Sequence, residues 1–237
     1  MKILITGAFG NIGKAVIAEA LKRHHEIIAF DIDNKKTRKS TRHYRNKIDN
    51  VIFGDIRDLE TVKKAVQDSE IVIHLAAIIP PLSRKNRKLT MDVNYGGTEN
   101  LIRAIKEGQS IPIIFTSSAS VMGPTQLQDK LVGRDDPLVI TGNYEETKIK
   151  CEEFLKKNAD NYLIFRLAGV LPSFSALSFI NALPFLEEIF DMHPEMRLEM
   201  IMAEDVATAL VTGAEKLKSG ATQKNHAYIL GGGEKNG

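Results

Sequence analysis

The sequence predicts an α/β protein built on a doubly wound parallel sheet. Short apolar runs alternate with segments of helical period along most of the chain. The apolar runs are nearly continuous, which is typical of strands covered by helices on both faces of a parallel sheet. A cluster of glycines also follows the first apolar run, where the pattern changes from strand to helix. This alternation favours a doubly wound sheet.

The predicted elements follow one another at short intervals. Strands are expected over residues 2–6, 26–31, 51–55, 70–77, 111–118, 161–167 and 226–233. Helices are expected over residues 11–24, 59–68, 88–106, 144–158, 174–190 and 203–218. Pro184 should kink or break the fifth of these helices, because proline lacks the backbone N–H of a helix interior.

Composition limits the partners and the compartment. Of the 237 residues, 43% are hydrophobic and 26% are charged, as in ordinary globular proteins. The formal net charge of +2 gives no reason to expect a nucleic acid or a membrane as a partner. The basic stretch 35–47 is interpreted as a solvated loop and helix face, with a nucleic-acid patch as the alternative. A single cysteine and no visible signal peptide or membrane span predict a cytoplasmic protein.

The glycines after the first strand, in ILITGAFGNIGKAV, are spaced Gly-x-x-Gly-x-x-Gly. Gly7 allows a tight turn out of the strand, and Gly10 has no Cβ to block an approaching pyrophosphate. Gly13 lets the following helix pack closely on the sheet. The free N–H groups at the helix N-terminus and the helix dipole would bind the phosphates. The turn therefore predicts a dinucleotide site with contacts from Gly7, Phe9, Gly10, Asn11, Ile12 and Gly13.

An acidic residue, Asp31, ends the second predicted strand 18 residues after Gly13. A carboxylate at this place accepts hydrogen bonds from the ribose hydroxyls of the adenosine half. It also repels a 2′-phosphate, so that NAD is favoured over NADP, although Lys35, Lys36 and Arg38 lie nearby in the sequence. We expect NAD as the cofactor.

A third pattern predicts catalytic chemistry. Tyr144 and Lys148 are four residues apart on one face of a predicted helix, and Ser118 ends a predicted strand. A tyrosine is a poor base at neutral pH unless a positive charge stabilises its phenolate. Lys148 and a nicotinamide ring would supply that charge, while Ser118 holds a substrate hydroxyl or carbonyl and Tyr144 exchanges its proton. A chance Tyr-x-x-x-Lys on a surface helix is the alternative.

These motifs resemble the extended short-chain dehydrogenase/reductase family, and more narrowly its NAD-dependent epimerase/dehydratase group. The resemblance runs from Met1 to about Gly233 and implies a Rossmann-like fold. It implies that GDIRD borders the adenine, that HLAA lines the cofactor, and that VNYGGTENLI carries the structural asparagine of a proton relay. The cofactor and catalytic positions that it adds are Asp55, Ile56, Leu75, Ala76, Ala77, Asn94 and Thr116.

The sequence departs from that group in four places. Ala119 and Ser120 replace the acidic pair of the dehydratases, which argues against a dehydratase. Arg166 is followed by Leu-Ala-Gly rather than by the asparagine that sugar-nucleotide members carry, and Met122 replaces a tyrosine. Members of the group also continue well beyond the last predicted strand. Residues 1–168 are therefore predicted to form the NAD-binding domain, and residues 169–237 a small substrate lobe interleaved with the sheet.

The function expected from the sequence is reversible hydride transfer at a secondary alcohol. An epimerase of a sugar or sugar nucleotide is placed first, on family grounds. An NAD-dependent dehydrogenase or reductase of a small hydroxy or keto compound is the alternative, and a non-catalytic NAD-binding sensor is the third. Arg84, Lys85 and Arg87 are candidates to meet a substrate phosphate or carboxylate, or are solvated charges. No metal is predicted, and the resemblance implies a homodimer formed by the helices near 94–106 and 144–158.

Overall fold

A computed structural model of the protein describes residues 1–44, 46–123, 133–172 and 199–233. Its strands are β1 (Lys2–Thr6), β2 (Glu26–Asp31), β3 (Asn50–Phe53), β4 (Ile71–His74), β5 (Ile113–Ser118), β6 (Tyr162–Leu167), β7 (Gly169–Leu171), β8 (Met200–Met202) and β9 (His226–Leu230). Its α-helices are α1 (Asn11–Lys22), α2 (Lys35–Tyr44), α3 (Leu59–Val66), α4 (Leu82–Lys85), α5 (Arg87–Thr90), α6 (Gly97–Glu107), α7 (Asn143–Asn158) and α8 (Ala203–Ser219).

Seven strands form one sheet in the order β3-β2-β1-β4-β5-β6-β9, and every neighbouring pair is parallel. The predicted doubly wound parallel sheet is therefore confirmed. The strand order reverses between β1 and β4, because β2 and β3 lie on one side of β1 and the later strands of the sheet lie on the other. Ligands of such sheets bind at the carboxyl ends of the strands beside this reversal.

Two apolar layers hold the sheet, one on each face. One layer joins the strands to α1 and α8, and the other joins them to α3, α6 and α7. Ile3, Ile5 and Ile73 face the first layer and Leu4 and Val72 the second, all with no exposed surface. This alternation along β1 explains why its sequence is a continuous apolar run. Each such side chain stabilises the fold by about 1.5–3 kcal/mol relative to an exposed one.

The predicted long helix over 88–106 is present but not regular. Over this range the chain passes from α5 through a π-helical segment, Met91–Gly96, directly into α6. A π turn adds one residue to the helical repeat and shifts the side chains that follow. This shift places Asn94 in the interior, where it is 2% exposed.

The second half of the chain returns to the main sheet. Helix α8 packs on α1, and β9 pairs with β6 in parallel register from Leu163 and His226 onward. A separate two-stranded sheet, β7 with β8, was not expected from the sequence. The helix predicted over 174–190 lies outside the described residues, and the division of the chain after residue 168 stays a prediction. No helix within the described ranges is long and apolar enough to cross a membrane.

Candidate active site

The glycine turn between β1 and α1 has two positions at which a side chain would clash with the backbone. Gly7 has a φ of 67°, a left-handed conformation that favours glycine, and a Cβ there would lie 2.9 Å from the backbone nitrogen of Ala76. A Cβ at Gly13 would overlap the carbonyl oxygens of Gly7 and Ala8. These two glycines let the turn, the helix and the end of β4 pack at backbone contact.

Gly10 leaves room on the outside of the same turn. It is exposed, and a Cβ there would have a single protein neighbour, the carbonyl oxygen of Gly7 at 3.2 Å. It is also the N-terminal cap of α1 and offers no capping side chain. The first N–H groups of α1, on Asn11, Ile12 and Gly13, therefore point toward the open side without intrahelical acceptors. The turn fits a pyrophosphate.

Asp31 lies at the carboxyl end of β2, beside the glycine turn. One carboxylate oxygen accepts the backbone N–H of Phe9 at 2.7 Å, and the other accepts that of Ile32 at 2.8 Å. Burial raises the pKa of this carboxyl, against the lowering effect of the two N–H groups and of Lys14 and Lys36. The side chain is half-buried, so that its charge is fixed at the rim of the cleft.

The predicted adenine-side residues lie after β3. The Asp55 carboxylate binds the guanidinium of Arg57, with oxygen–nitrogen distances of 2.5–3.0 Å, which holds its pKa below the usual value. Ile56 is buried against Gly97 at the start of α6. The structure thus brings the Asp55–Ile56 segment to the edge of the cleft formed by β1, β2 and β4.

The turn after β4 is fixed by side chains from two other elements. The N–H groups of Leu75 and Ala76 donate to the hydroxyl of Thr6, each at 3.2 Å, and Ala77 is half-buried beside them. The side-chain amide of Asn94 binds both backbone groups of Ile78, accepting at 2.7 Å and donating at 3.0 Å. The same amide donates to Thr147 of α7 at 3.1 Å. Asn94 thus connects the turn to the helix that carries Tyr144 and Lys148.

Ser118 and Tyr144 come from two elements of the site. The Ser118 hydroxyl lowers the pKa of the Tyr144 phenol, an effect smaller than that of burial, which raises it. At 2.9 Å the Ser118 hydroxyl also forms a hydrogen bond with that of Ser120. The structure thus brings the end of β5 close to the start of α7, and the shared role of the two hydroxyls stays a prediction.

Lys148 lies one turn further along α7 and is 4% exposed. Its ammonium donates to the carbonyl oxygen of Thr116 at 2.8 Å and lies 4.9 Å from the ring centroid of Phe115. Because burial removes water from this cation, its pKa is lowered to about 8. Thr116 in turn donates its hydroxyl to the carbonyl of His74 at 3.0 Å, which ties the site to β4.

The lowered pKa expected for Tyr144 stays a prediction, because it depends on a nicotinamide charge as well as on Lys148. In the polypeptide by itself, burial raises the pKa of Tyr144, and the nearby Glu145 adds to that effect. The ammonium of Lys148 is 5.7 Å from the centre of the Tyr144 ring.

One buried ion pair beside the site was missed by the sequence analysis. Arg166 of β6 binds Glu152 of α7 through two nitrogens, at 3.0 and 2.8 Å, and both side chains are buried. Its third nitrogen donates to the carbonyl of Arg134 at 2.7 Å, so that it also holds the segment that leads to Tyr144. The signal that could have found it is an arginine within the apolar run YLIFRL, since such a residue needs a buried partner.

The predicted phosphate contacts of loop 78–87 are partly engaged elsewhere. The guanidinium of Arg87 binds both carboxylate oxygens of Glu146 on α7, at 2.8 and 2.9 Å. Arg84 and Lys85 are exposed on α4. In the described part of the chain, no cluster of three or more His, Cys, Asp or Glu residues could hold a metal ion.

Comparison with known families decides the relationship. The model of the 3-beta hydroxysteroid dehydrogenase/isomerase family matches residues 4–166, which include the glycine turn, Ser118, Tyr144 and Lys148. The chain belongs to this family. The family is one of the extended short-chain dehydrogenases/reductases, so the resemblance read from the sequence is confirmed at that level.

Two curated relatives illustrate the family. A 3-beta-hydroxysteroid dehydrogenase of Mycolicibacterium neoaurum is 26% identical over 98% of this chain and 66% of its own length. A 3 beta-hydroxysteroid dehydrogenase/Delta 5-->4-isomerase of Mycobacterium tuberculosis is 30% identical over 65% of this chain and 42% of its own length. The chain of this family member thus spans about two thirds of one relative and two fifths of the other.

Solved structures show the same fold. A UDP-Glc/GlcNAc 4-epimerase from Campylobacter jejuni superposes with a TM-score of 0.80 at 20% identity, covering 97% of this chain and 78% of the other. A UDP-glucose 4-epimerase of Thermus thermophilus, in complex with NAD, gives 0.78 at 20% identity, covering 99% and 78%. At this identity the likeness establishes the Rossmann-like architecture of this 3-beta hydroxysteroid dehydrogenase/isomerase family member.

Proposed function

We propose that the protein is an NAD-dependent enzyme that transfers hydride reversibly at a secondary alcohol or its ketone. The buried Lys148 ammonium, bound to the carbonyl of Thr116 and 5.7 Å from the centre of the Tyr144 ring, with Ser118 at the end of the neighbouring strand, carries this proposal. The family of the chain and the names of its curated relatives support the same chemistry.

The chain's own groups divide the reaction among themselves. The two hydroxyls can bind one substrate oxygen, so that Ser118 orients it and Tyr144 takes or returns its proton. Lys148 places positive charge beside the reacting groups in a site that excludes water. NAD, when bound, supplies the hydride acceptor. Because burial raises the pKa of Tyr144, the proton transfer depends on charge that arrives with the cofactor.

The cofactor would be held along the whole rim of β1, β2 and β4. Gly10 and the α1 N-terminus would bind the pyrophosphate, and Asp31 would bind the adenosine ribose. Asp55 and Ile56 lie on the adenine side, and Leu75, Ala76 and Ala77 on the opposite wall. Asn94, Thr116, Tyr144 and Lys148 complete the nicotinamide end. The fixed charge of Asp31 supports NAD over NADP.

Among the candidate net reactions, the exposed surface of the described residues favours oxidation of an apolar alcohol or reduction of its ketone. The exposed large hydrophobic residues of the described ranges are Ile32, Ile79, Leu82, Val139 and Ile140. The last four belong to the segments that flank the start of α7, and Asn143 joins these segments by donating to the carbonyl of Ser83 at 3.3 Å. Such a rim matches an apolar substrate better than a charged one. A dehydrogenase is accordingly placed first.

A sugar or sugar-nucleotide epimerase is the second candidate. Lys85 places exposed positive charge on α4, at the same rim, where a nucleotide phosphate would be attracted. The catalytic residues would be unchanged, because epimerisation returns the hydride to the other face of the same carbon. A sensor that binds NAD without turnover is the third candidate, and the intact set of Ser118, Tyr144 and Lys148 argues against it.

Native mass spectrometry of the protein as purified, followed by turnover assays, separates these candidates. A dehydrogenase binds added NAD reversibly and forms NADH with hydrophobic secondary alcohols. An epimerase retains its cofactor through purification and interconverts UDP-sugars without net NADH. Binding of NAD with no turnover of either substrate class would leave only the sensor and overturn the proposal.

The assembly and compartment belong to the same proposal. We infer a homodimer in which α6 and α7 of the two subunits pack as a four-helix bundle, on the family resemblance. The single cysteine, Cys151, is buried on α7, in keeping with a cytoplasmic protein that needs no disulfide. Light scattering that finds only monomer at micromolar concentration would contradict the dimer.

A further inference from the structure

A buried histidine, His74, connects the cofactor side of the cleft to the catalytic helix. It ends β4, is 1% exposed, and has a hydroxyl at each ring nitrogen. Nδ1 lies 2.6 Å from the hydroxyl of Thr6, and Nε2 lies 3.0 Å from that of Thr98 on α6. Burial, together with the nearby charge of Lys148, lowers the pKa of this imidazole to about 3. The ring is therefore neutral at physiological pH.

The surrounding hydrogen bonds assign the protons around His74. Thr98 donates its hydroxyl to the carbonyl of Asn94 at 2.6 Å, so it accepts the N–H of His74 at Nε2, and it also accepts the thiol of Cys151 at 3.4 Å. The hydroxyl of Thr6 accepts from Leu75 and Ala76 and donates to Nδ1. His74 is thus held as the Nε2–H tautomer, an assignment made from the geometry of its partners.

The same chain reaches Tyr144 through Asn94. The side-chain amide of Asn94 donates to the hydroxyl of Thr147, which donates to the backbone carbonyl of Tyr144 at 2.7 Å. A continuous set of hydrogen bonds, buried in its middle and partly buried at both ends, therefore runs from the turn after β4 to the first turn of α7. A π-helical segment carries Asn94, and such segments leave backbone groups that side chains must satisfy.

We propose that the His74–Thr98 pair positions Asn94, and through it Tyr144, for the hydride-transfer reaction. The pair acts through its hydrogen bonds, by holding the Asn94 carbonyl and side chain in one orientation. This inference rests on the proposed function for its effect on rate. The expected effect of the pair on the conformational order of α7 does not depend on the proposed function.

Thr98→Val is the test, because valine keeps the shape of threonine and removes the acceptor for His74. Thr90→Val is a matched control. Both threonines are buried, and each donates to the carbonyl four residues earlier, Thr98 at 2.6 Å and Thr90 at 2.7 Å. Only Thr98 also accepts from a histidine. Thr98→Ser, which restores the hydroxyl, is the conservative variant.

The expected result is a fall in kcat of about 100-fold for Thr98→Val, the cost of misplacing a reacting group by roughly 1 Å. Its NAD affinity should be unchanged, and Thr98→Ser and Thr90→Val should keep kcat. Amide hydrogen exchange of peptides covering residues 75–78 and 144–150 should rise in Thr98→Val and stay at the wild-type level in Thr90→Val.

Equal losses of kcat in Thr98→Val and Thr90→Val, or no rescue by serine, would overturn the positioning role. If the wild-type protein turns over neither substrate class, the proposed function fails instead. The exchange experiment then still decides about the pair: identical exchange of residues 144–150 in Thr98→Val and the wild type would overturn it.

Discussion

Two buried cations lie close together beside the cleft, and their surroundings differ. Arg166 has a carboxylate partner, Glu152, and a backbone carbonyl for its third nitrogen. Lys148, on the same helix as Glu152, binds a carbonyl and lies over an aromatic ring, and the charge of Glu152 only partly offsets the effect of its burial. Burial opposes ionisation of Glu152, but hydrogen bonds and charge from Arg166 still hold its pKa below the usual value. The pKa of Lys148, by contrast, falls to about 8.

The difference separates a structural cation from a functional one. A paired buried charge is satisfied within the fold and serves to fix α7 on β6. An unpaired one is held at a cost to stability and is a candidate for interaction with a ligand. The following predictions test this distinction, beginning with the largest effect.

Replacing Lys148 with Met should abolish most activity and leave the fold intact. We expect kcat to fall by about 1000-fold, within the range for the loss of a group that supports proton transfer. Steady-state kinetics with the substrate identified by the turnover assays would measure it. Arg166 and Glu152 stay paired in this variant, so a soluble protein with a native circular dichroism spectrum is the control.

The same variant should be more stable than the wild type at neutral pH. The pKa of Lys148 is lower in the folded chain, about 8, than its ordinary value of 10.5. Between these values the unfolded state binds more protons, so wild-type stability rises as the pH increases from 8 to 10.5. Lys148→Met should remove this rise and gain up to about 3 kcal/mol at pH 7. Urea unfolding with the same pH slope in both proteins would contradict the account.

Breaking the paired cation should have the opposite effect. Arg166→Met leaves Glu152 buried without its main partner and should cost about 3 kcal/mol of unfolding free energy. The double variant Arg166→Met with Glu152→Leu should recover most of that loss, because apolar groups can replace a buried ion pair. Chemical denaturation of the single and double variants measures the coupling. A double variant as unstable as the single one would show that the ion pair stabilises the fold by more than the mutual neutralisation of its two buried charges.

On the cofactor side, Asp31→Asn should change cofactor preference rather than fold. An amide removes the negative charge that repels a 2′-phosphate, and it keeps one oxygen for the N–H of Phe9. We expect the ratio of NAD to NADP affinity to fall by about tenfold, or 1.4 kcal/mol. Titration calorimetry with both cofactors measures this ratio. An unchanged ratio would mean that another residue sets the preference.

The smallest effect on stability is expected at an exposed ion pair that joins Arg87 of α5 to Glu146 of α7. The side chain of Arg87 is 59% exposed where it binds Glu146. Arg87→Ala should change the unfolding free energy by less than about 1 kcal/mol, as is usual for pairs in contact with water. Thermal unfolding at two salt concentrations would show it, and a loss comparable to that of Arg166→Met would erase the distinction between buried and exposed pairs.

Much of the sheet could be predicted because its signals are local. A few neighbouring residues are enough to predict the local structure of the run KILIT, of the glycines after it and of the apolar strand EIIAFD. The strands β7 and β8 could not be found in this way, since GVL and MIM are three residues each and their partners are 31 residues apart in sequence. The π-helical turn around Asn94 was missed because one extra residue in a helix leaves little trace in an apolar pattern.

In the site, too, local signals could be predicted from the sequence and long-range contacts could not. The spacing of Tyr144 and Lys148 is local, so both were identified, as was Ser118 at a strand end. The partners of Lys148, His74 and Arg166 come from distant segments, and the Thr6, Thr98, Thr147 and Glu152 contacts need the tertiary structure. The burial that raises the pKa of Tyr144 in the polypeptide by itself is likewise not visible in the sequence.

The central claim is that Tyr144 exchanges the substrate proton while NAD takes the hydride. Tyr144→Phe tests it most directly, because phenylalanine keeps the ring and removes the hydroxyl that would exchange the proton. The account predicts that the variant binds NAD as tightly as the wild type by calorimetry and forms no detectable product from the wild-type substrate. Product formation at the wild-type rate by Tyr144→Phe would contradict it.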